Sequence, residues 1–205
     1  MSPPPDSDGA LPDGIEYLDP QAQPGAPPRP YKARLQPDKK PPVIGLLSNL
    51  FADASAFLND LREPLAALLP GATFRFYDKG TVQRMSFPVA DEVCKDIMAQ
   101  CDAVVCAYGH CGSCTSGTTQ DALAFAAADF PTLALVTEKF RDEAFFLARA
   151  GGFPELPFVF LPHPVAGKTA QYHRALAEII APAVVAALVE GRVSDMAAHR
   201  PEELH

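Results

Sequence analysis

The chain has 205 residues, 48% of them hydrophobic, and a formal net charge of -8. That length and apolar content support one domain with a sizeable core plus a tail, and leave no room for a second domain. The acidic balance excludes the clustered Lys and Arg footprint of a nucleic-acid binder.

The first residues, MSPPPDSDGALPDG, have neither the basic start nor the apolar core of a secretory signal. No window approaches the roughly 18 consecutive apolar residues of a spanning helix. The expectation is a cytoplasmic protein without a membrane partner. Its five cysteines, Cys94, Cys101, Cys106, Cys111 and Cys114, crowd into one central segment, a poor layout for a secreted disulfide framework. A reducing compartment suits them, with two cysteines chemical and the others packing.

Residues 1–41 read as a flexible Pro-rich arm that cannot bury enough apolar surface to offset its ordering entropy. Within it, Ile15 to Pro20 carries apolar residues able to dock on the domain, on a second copy or on a partner subunit. Residues 42–191 read as the domain. Pro42 to Asn49 is a first strand, followed by a helix carrying Phe57, Leu58, Leu61, Leu65 and Leu68, with Asp53 or Ser55 as cap and a kink at Pro64. Thr73 to Tyr77 alternates as a strand nearer an edge does. Asp91 to Gln100 is a helix, and Ala103 to Ala107 a third strand.

A Gly/His/Cys/Ser loop follows and opens into an Ala-rich helix. Pro131 to Thr137 is the fourth strand, Glu138 to Ala150 a helix with Phe145 and Phe146 inward, and Phe158 to Leu161 the fifth strand. Thr169 to Glu190 closes the domain as a helix interrupted or restarted at Pro182, and residues 192–205 form a polar tail. Strands alternating with helices predict an α/β fold: one doubly wound, mainly parallel five-stranded sheet of flavodoxin-like type.

In such a sheet the loops after strands one, three, four and five open on one edge, where ligands bind. They would bring Asn49, the segment His110 to Ser116, Thr137, Glu138 and His163 to one cleft. Cys111 and Cys114 are spaced C-x-x-C just before a helix, where unpaired N–H groups and the helix dipole favour a thiolate. One sulfur can attack and the other resolve the mixed species as a disulfide. The alternatives are two small buried residues, or a zinc site that would need His110 or His163 because no second such pair exists.

His110 is read as a charge donor to its neighbouring thiol, a proton carrier or an ordinary loop residue. His163, framed by Pro162 and Pro164, is read as an acid or base, or as a packed histidine. Glu138 suits a catalytic acid or a first-turn position. Ser113, Thr115, Ser116, Thr118 and Thr119 suit helix capping, with Thr118 and Asp121 spaced like a capping box, and the same hydroxyls suit a substrate carboxylate. Asn49, Ser113, Thr115, Ser116 and Thr137 are the substrate-binding candidates. No cofactor is evident, since Gly109, Gly112 and Gly117 match neither a dinucleotide fingerprint nor a P-loop.

At Cys111-Gly-Ser-Cys114 the chain resembles the UGSC family, named for selenocysteine-Gly-Ser-Cys, many members of which carry cysteine at the first position. Tyr17-Leu-Asp-Pro, Gly45-Leu-Leu-Ser-Asn, Cys101-Asp-Ala-Val-Val, Pro131-Thr, Thr137-Glu and Pro162-His-Pro resemble further landmarks of that family. The loop also resembles the selenocysteine-subunit segment of glycine and proline reductases. The resemblance implies that Cys111 takes the attacking, selenocysteine position and Cys114 the resolving one. Position 117 is Gly, where related loops often carry a further cysteine, so a three-thiol mechanism lacks its third member.

The expected function is therefore thiol redox or covalent chemistry on a small anionic or electrophilic molecule, by an oxidoreductase or a lyase or transferase. The other classes are a thiophilic metal-binding protein, held through Cys111, Cys114, His110 and His163, and an accessory thiol subunit docked through the arm.

Overall fold

The computed structural model describes residues 25–201. One all-parallel sheet of six strands carries helices on both faces. The strands are β1 (Val43–Ser48), β2 (Thr73–Asp78), β3 (Ala103–Gly109), β4 (Thr132–Thr137), β5 (Phe158–Leu161) and β6 (Ser194–Asp195), in the order β2-β1-β3-β4-β5-β6. The central strands are buried along their whole length, as continuous apolar runs such as Ala103 to Ala107 require when helices cover both faces. β2 has one neighbour and exposes Thr73, Arg75, Phe76 and Asp78, as an edge strand does.

The helices are α1 (Ala54–Asp60), α2 (Arg62–Leu68), α3 (Asp91–Gln100), α4 (Gly112–Ala127), α5 (Arg141–Ala150) and α6 (Ala170–Glu190). Phe57, Leu58, Leu65, Leu176, Ile180 and Val184 of α1, α2 and α6 build one core against Leu46, Val105 and Leu135. Ile97, Phe125 and Ala148 of α3, α4 and α5 build the other, against Leu47, Cys106 and Phe160. α6 is long and apolar enough to cross a membrane, with a mean hydropathy of 1.4, but half of that window is buried inside the domain. Its apolar stripe is therefore accounted for by the sheet.

Several sequence expectations need correction. The sheet has six strands: Ser194 and Asp195, in what reads as a polar tail, pair with Val159 and Phe160. The helix expected from Phe57 onward is two, broken at Leu61, because Pro64 has no N–H for the Asp60 carbonyl and its ring crowds that residue. α6 in contrast runs unbroken through Pro182. Pro182 and Glu178, whose carbonyl loses its partner, both lie on the exposed face. Phe145 packs on Phe158 and Phe160, but Phe146 is 64% exposed. Asp53 precedes α1 in a left-handed conformation without capping it, and its carboxylate accepts the Gly167 N–H instead.

The described part of the Pro-rich arm lies against its own domain. Its Ala26 and Arg29 N–H groups donate to Ala150 and Gly152, and Leu35 N–H donates to Leu188. The Tyr31 hydroxyl exchanges hydrogen bonds with the Thr132 backbone, and Tyr31 and Leu35 are both buried. Two well-placed apolar side chains and a few backbone bonds offset the entropy that composition alone would leave unbalanced. Ile15 to Pro20 lie outside the described residues.

Candidate thiol site at the carboxyl edge of the sheet

The strand order reverses between β1 and β3, whose connections leave to opposite sides, and this crevice is where open α/β sheets bind ligands. α4 begins directly at the crevice. Its N-cap is Cys111, one residue after His110, so Ser113, Thr115 and Ser116 belong to the helix rather than to a preceding loop.

Cys111 and Cys114 are joined by a disulfide, with Cα atoms 5.1 Å apart. The Cys114 N–H points at the Cys111 sulfur at 3.2 Å, and the Ser113 hydroxyl lies 3.5 Å from it. The same donors would stabilise a Cys111 thiolate in the reduced protein. Cys111 is half-buried, whereas Cys114 is fully buried behind it, its sulfur 3.6 Å from that of Met85. Only the first sulfur of the pair is open to an incoming molecule. Burial pushes the remaining thiols, Cys94, Cys101 and Cys106, above their ordinary range.

The structure brings His110, Thr137, Glu138 and His163 into one cluster. The two imidazoles stand 4.6 Å apart, tilted by 30°, and Phe51 stacks on His110 at 5.3 Å. Nε2 of His110 accepts the Val165 and Ala166 N–H groups, so that atom carries no hydrogen and the proton sits on Nδ1. Burial, and secondarily His163, lower the His110 pKa to about 4. His110 is thus a neutral donor through Nδ1, and the charge-donor role read from its sequence position is corrected.

His163 has Nδ1 3.2 Å from the Thr137 hydroxyl, and its backbone N–H meets Glu138 Oε1 at 3.3 Å. Desolvation and then the Lys139 charge lower its pKa, leaving it neutral and able to accept a proton near pH 7.

The substrate-binding candidates divide. Asn49 is buried and both of its amide donors are used: Nδ2 donates to the Tyr108 carbonyl and the Thr118 hydroxyl, and Oδ1 accepts the Phe51 N–H. It fixes the crevice rather than facing a ligand. Thr115 is buried with an unpartnered hydroxyl, Thr137 is buried and spent on His163, and Ser116 accepts a hydrogen bond from Gln120. Ser113 remains exposed beside Cys111. The expected Thr118–Asp121 capping box is absent, because α4 starts two turns earlier.

Asp121 instead forms a buried ion pair with Lys79 at 2.7 Å, their side chains 2% and 0% exposed. Lys79 also donates to the Met85 and Phe87 carbonyls, and Asp121 accepts the Val89 N–H. The pair straps residues 79–89 across α4, where Gly117 leaves room that a Cβ would take from the Met85 carbonyl. That requirement explains glycine at 117. No periodicity announces this strap; the lone Lys in an irregular stretch and an Asp on an apolar helix face are its only traces in the sequence.

Glu143 is a second residue that sequence reading misses. From the first turn of α5 its carboxylate reaches the start of α4, such that a Cβ on Gly112 would lie 3.5 Å from Oε2. Burial alone raises its pKa. A negative charge there opposes a thiolate at the same helix end. Glu143→Gln is therefore expected to lower the pH midpoint of Cys111 alkylation, by up to about one unit. An unchanged midpoint would place Glu143 outside the site's electrostatics.

No cluster of three or more His, Cys, Asp or Glu side chains able to hold a metal occurs among the described residues. Of the alternative metal set, two sulfurs are bonded to each other and His110 Nε2 is already engaged.

The fold and site define a parallel α/β protein with a C-x-x-C disulfide at the N-terminus of the helix that leaves the sheet's switch point. The model of the UGSC family matches residues 16–190, and the protein belongs to that family. No curated protein and no solved structure matches it.

Proposed function

We propose that the protein performs thiol-dependent redox or covalent chemistry on a small molecule, with Cys111 attacking and Cys114 resolving. The observation that carries this reading is the asymmetry of the pair: a half-buried sulfur at the N-cap with an N–H donor aimed at it, and a fully buried sulfur bonded behind it. The strand order 2-1-3-4-5, with a sixth strand added, supports the flavodoxin-like description of the fold.

In the redox form of the chemistry, the Cys111 thiolate attacks an electrophilic oxygen or sulfur of the acceptor. The bond within the acceptor breaks and the departing fragment takes a proton. Cys114 then attacks the Cys111 sulfur, releases the second fragment and closes the disulfide. The dithiol loses two electrons and two protons, the acceptor gains them, and an external thiol reductant restores the dithiol. Neutral His163 can take a proton from the incoming thiol and return it to the leaving group, while His110 Nδ1–H can hydrogen-bond an acceptor oxygen.

Cys114→Ser tests the division of labour. Treated with hydrogen peroxide, the variant should accumulate a Cys111 sulfenic acid that dimedone traps, while the wild type closes the disulfide. Oxidation of Cys94 with Cys111 untouched would contradict the reading.

A further inference from the structure

We propose that Arg200 is a positioning residue of this site, and that the C-terminal segment from Ser194 to Pro201 is built to deliver it. The segment is anchored at several points. β6 pairs with β5, Met196 N–H donates to the Phe160 carbonyl at 2.8 Å, and Arg141 bridges to Asp195 at 2.6 Å while lying over the Phe160 ring. Asp195 then accepts the Ala197 N–H, His199 N–H returns to Met196, and Pro201 is buried. The turn brings the Arg200 guanidinium to the ends of β4 and β5.

There it makes two bonds. Nη2 donates to Glu138 Oε1 at 2.8 Å and Nη1 to the His163 carbonyl at 3.0 Å. The same Glu138 oxygen accepts the His163 N–H. His163 lies between Pro162 and Pro164, neither of which has an N–H, so it is the one residue of the three able to donate from its backbone. Both polar backbone groups of His163 are thus clamped by one Glu–Arg couple, while Thr137 holds its ring.

An ion pair with side chains 52% and 25% exposed contributes little to stability. Its geometric effect, two fixed groups on one imidazole-bearing residue, is what the arrangement provides. Arg200 lies beyond residues 16–190, which the family model matches, so the clamp is read from this chain's own geometry.

The inference rests on taking this edge as the site, but its test does not depend on thiol chemistry. In NMR titrations of the full chain, Arg200→Ala removes a cation near His163 and leaves Glu138 unneutralised. Both changes act in the same direction, so the His163 midpoint should rise by roughly 0.5–1 pH unit, with a melting temperature within a few degrees of wild type. Arg200→Lys, which keeps the charge without the planar fork, should fall between the two. An unchanged His163 midpoint in Arg200→Ala overturns the proposal. Should that variant fold poorly, Arg200→Gln is read against the same criterion. Slow Cys111 chemistry beside a shifted His163 midpoint would instead count against the thiol function and leave the clamp standing.

Discussion

Lys79→Met is expected to destabilise the protein by about 3–5 kcal/mol near pH 8, the scale for leaving one member of a buried ion pair without its partner. The side chains of Lys79 and Asp121 are essentially inaccessible, so water cannot substitute for the missing charge. The effect depends on pH with a definite sign. Burial raises the Asp121 pKa to about 6 against the opposing pull of Lys79, and removing the lysine raises it further. A carboxyl held above its unfolded value keeps a proton that the unfolded chain releases above about pH 4. The variant's stability is therefore greatest at low pH and declines as pH rises through the folded value. The wild type shows the same dependence over a narrower span, because Lys79 holds its Asp121 to about 6, so the two stability curves separate as pH rises beyond that value. Urea melts at pH 5 and pH 8 should show the larger gap at pH 8. A gap below about 1 kcal/mol there, or a larger gap at pH 5, would contradict this. Loss of the strap also uncovers Met85 and Cys114, joining the stability of residues 79–89 to the resolving sulfur.

His163→Ala is expected to lower turnover by roughly 10²- to 10⁴-fold, the usual scale for a lost general acid or base. The residue is half-buried, and its ring packs on His110 and Phe140 rather than within either core, so global stability should change much less. Before a substrate is in hand, the pH profile of Cys111 alkylation, measured beside a thermal melt, separates the roles. An altered profile with a near-normal melt fits a proton carrier; a large loss of stability with an unchanged profile would make His163 a packing residue.

The features most legible in the sequence were those with a local signal. Apolar runs bounded by turn residues located five strands, and the C-x-x-C before an Ala-rich stretch marked a helix beside it, although the Thr118 cap read from the sequence lies two turns inside α4. The convergence of His110, Thr137, Glu138 and His163 followed from topology, because parallel strands send their carboxyl ends to one edge. What escaped depends on partners far apart in the chain. Ser194 and Asp195 form a strand only because β5 offers a free edge. Asn49 reads as a loop amide open to a ligand, yet Tyr108 and Thr118 consume it. His110 reads as a charge donor, a proton carrier or an ordinary loop residue, and only the distant N–H groups of Val165 and Ala166, which donate to Nε2, fix its tautomer. Glu143 and Arg200 carry no motif at all, and both reach the site through helix or turn geometry that no local pattern encodes.

The central claim is that Cys111 is the attacking thiol. The most direct measurement is the alkylation rate of each cysteine in the fully reduced protein across a pH series, read by peptide mass spectrometry. The N-cap position and the Cys114 N–H predict that Cys111 is modified first, with a midpoint below the ordinary thiol value of about 8.5. Buried Cys114, Cys101 and Cys106 and the half-buried Cys94 should follow only at higher pH or on unfolding. Modification of Cys94 ahead of Cys111, or a Cys111 midpoint at or above about 8.5, would contradict the account.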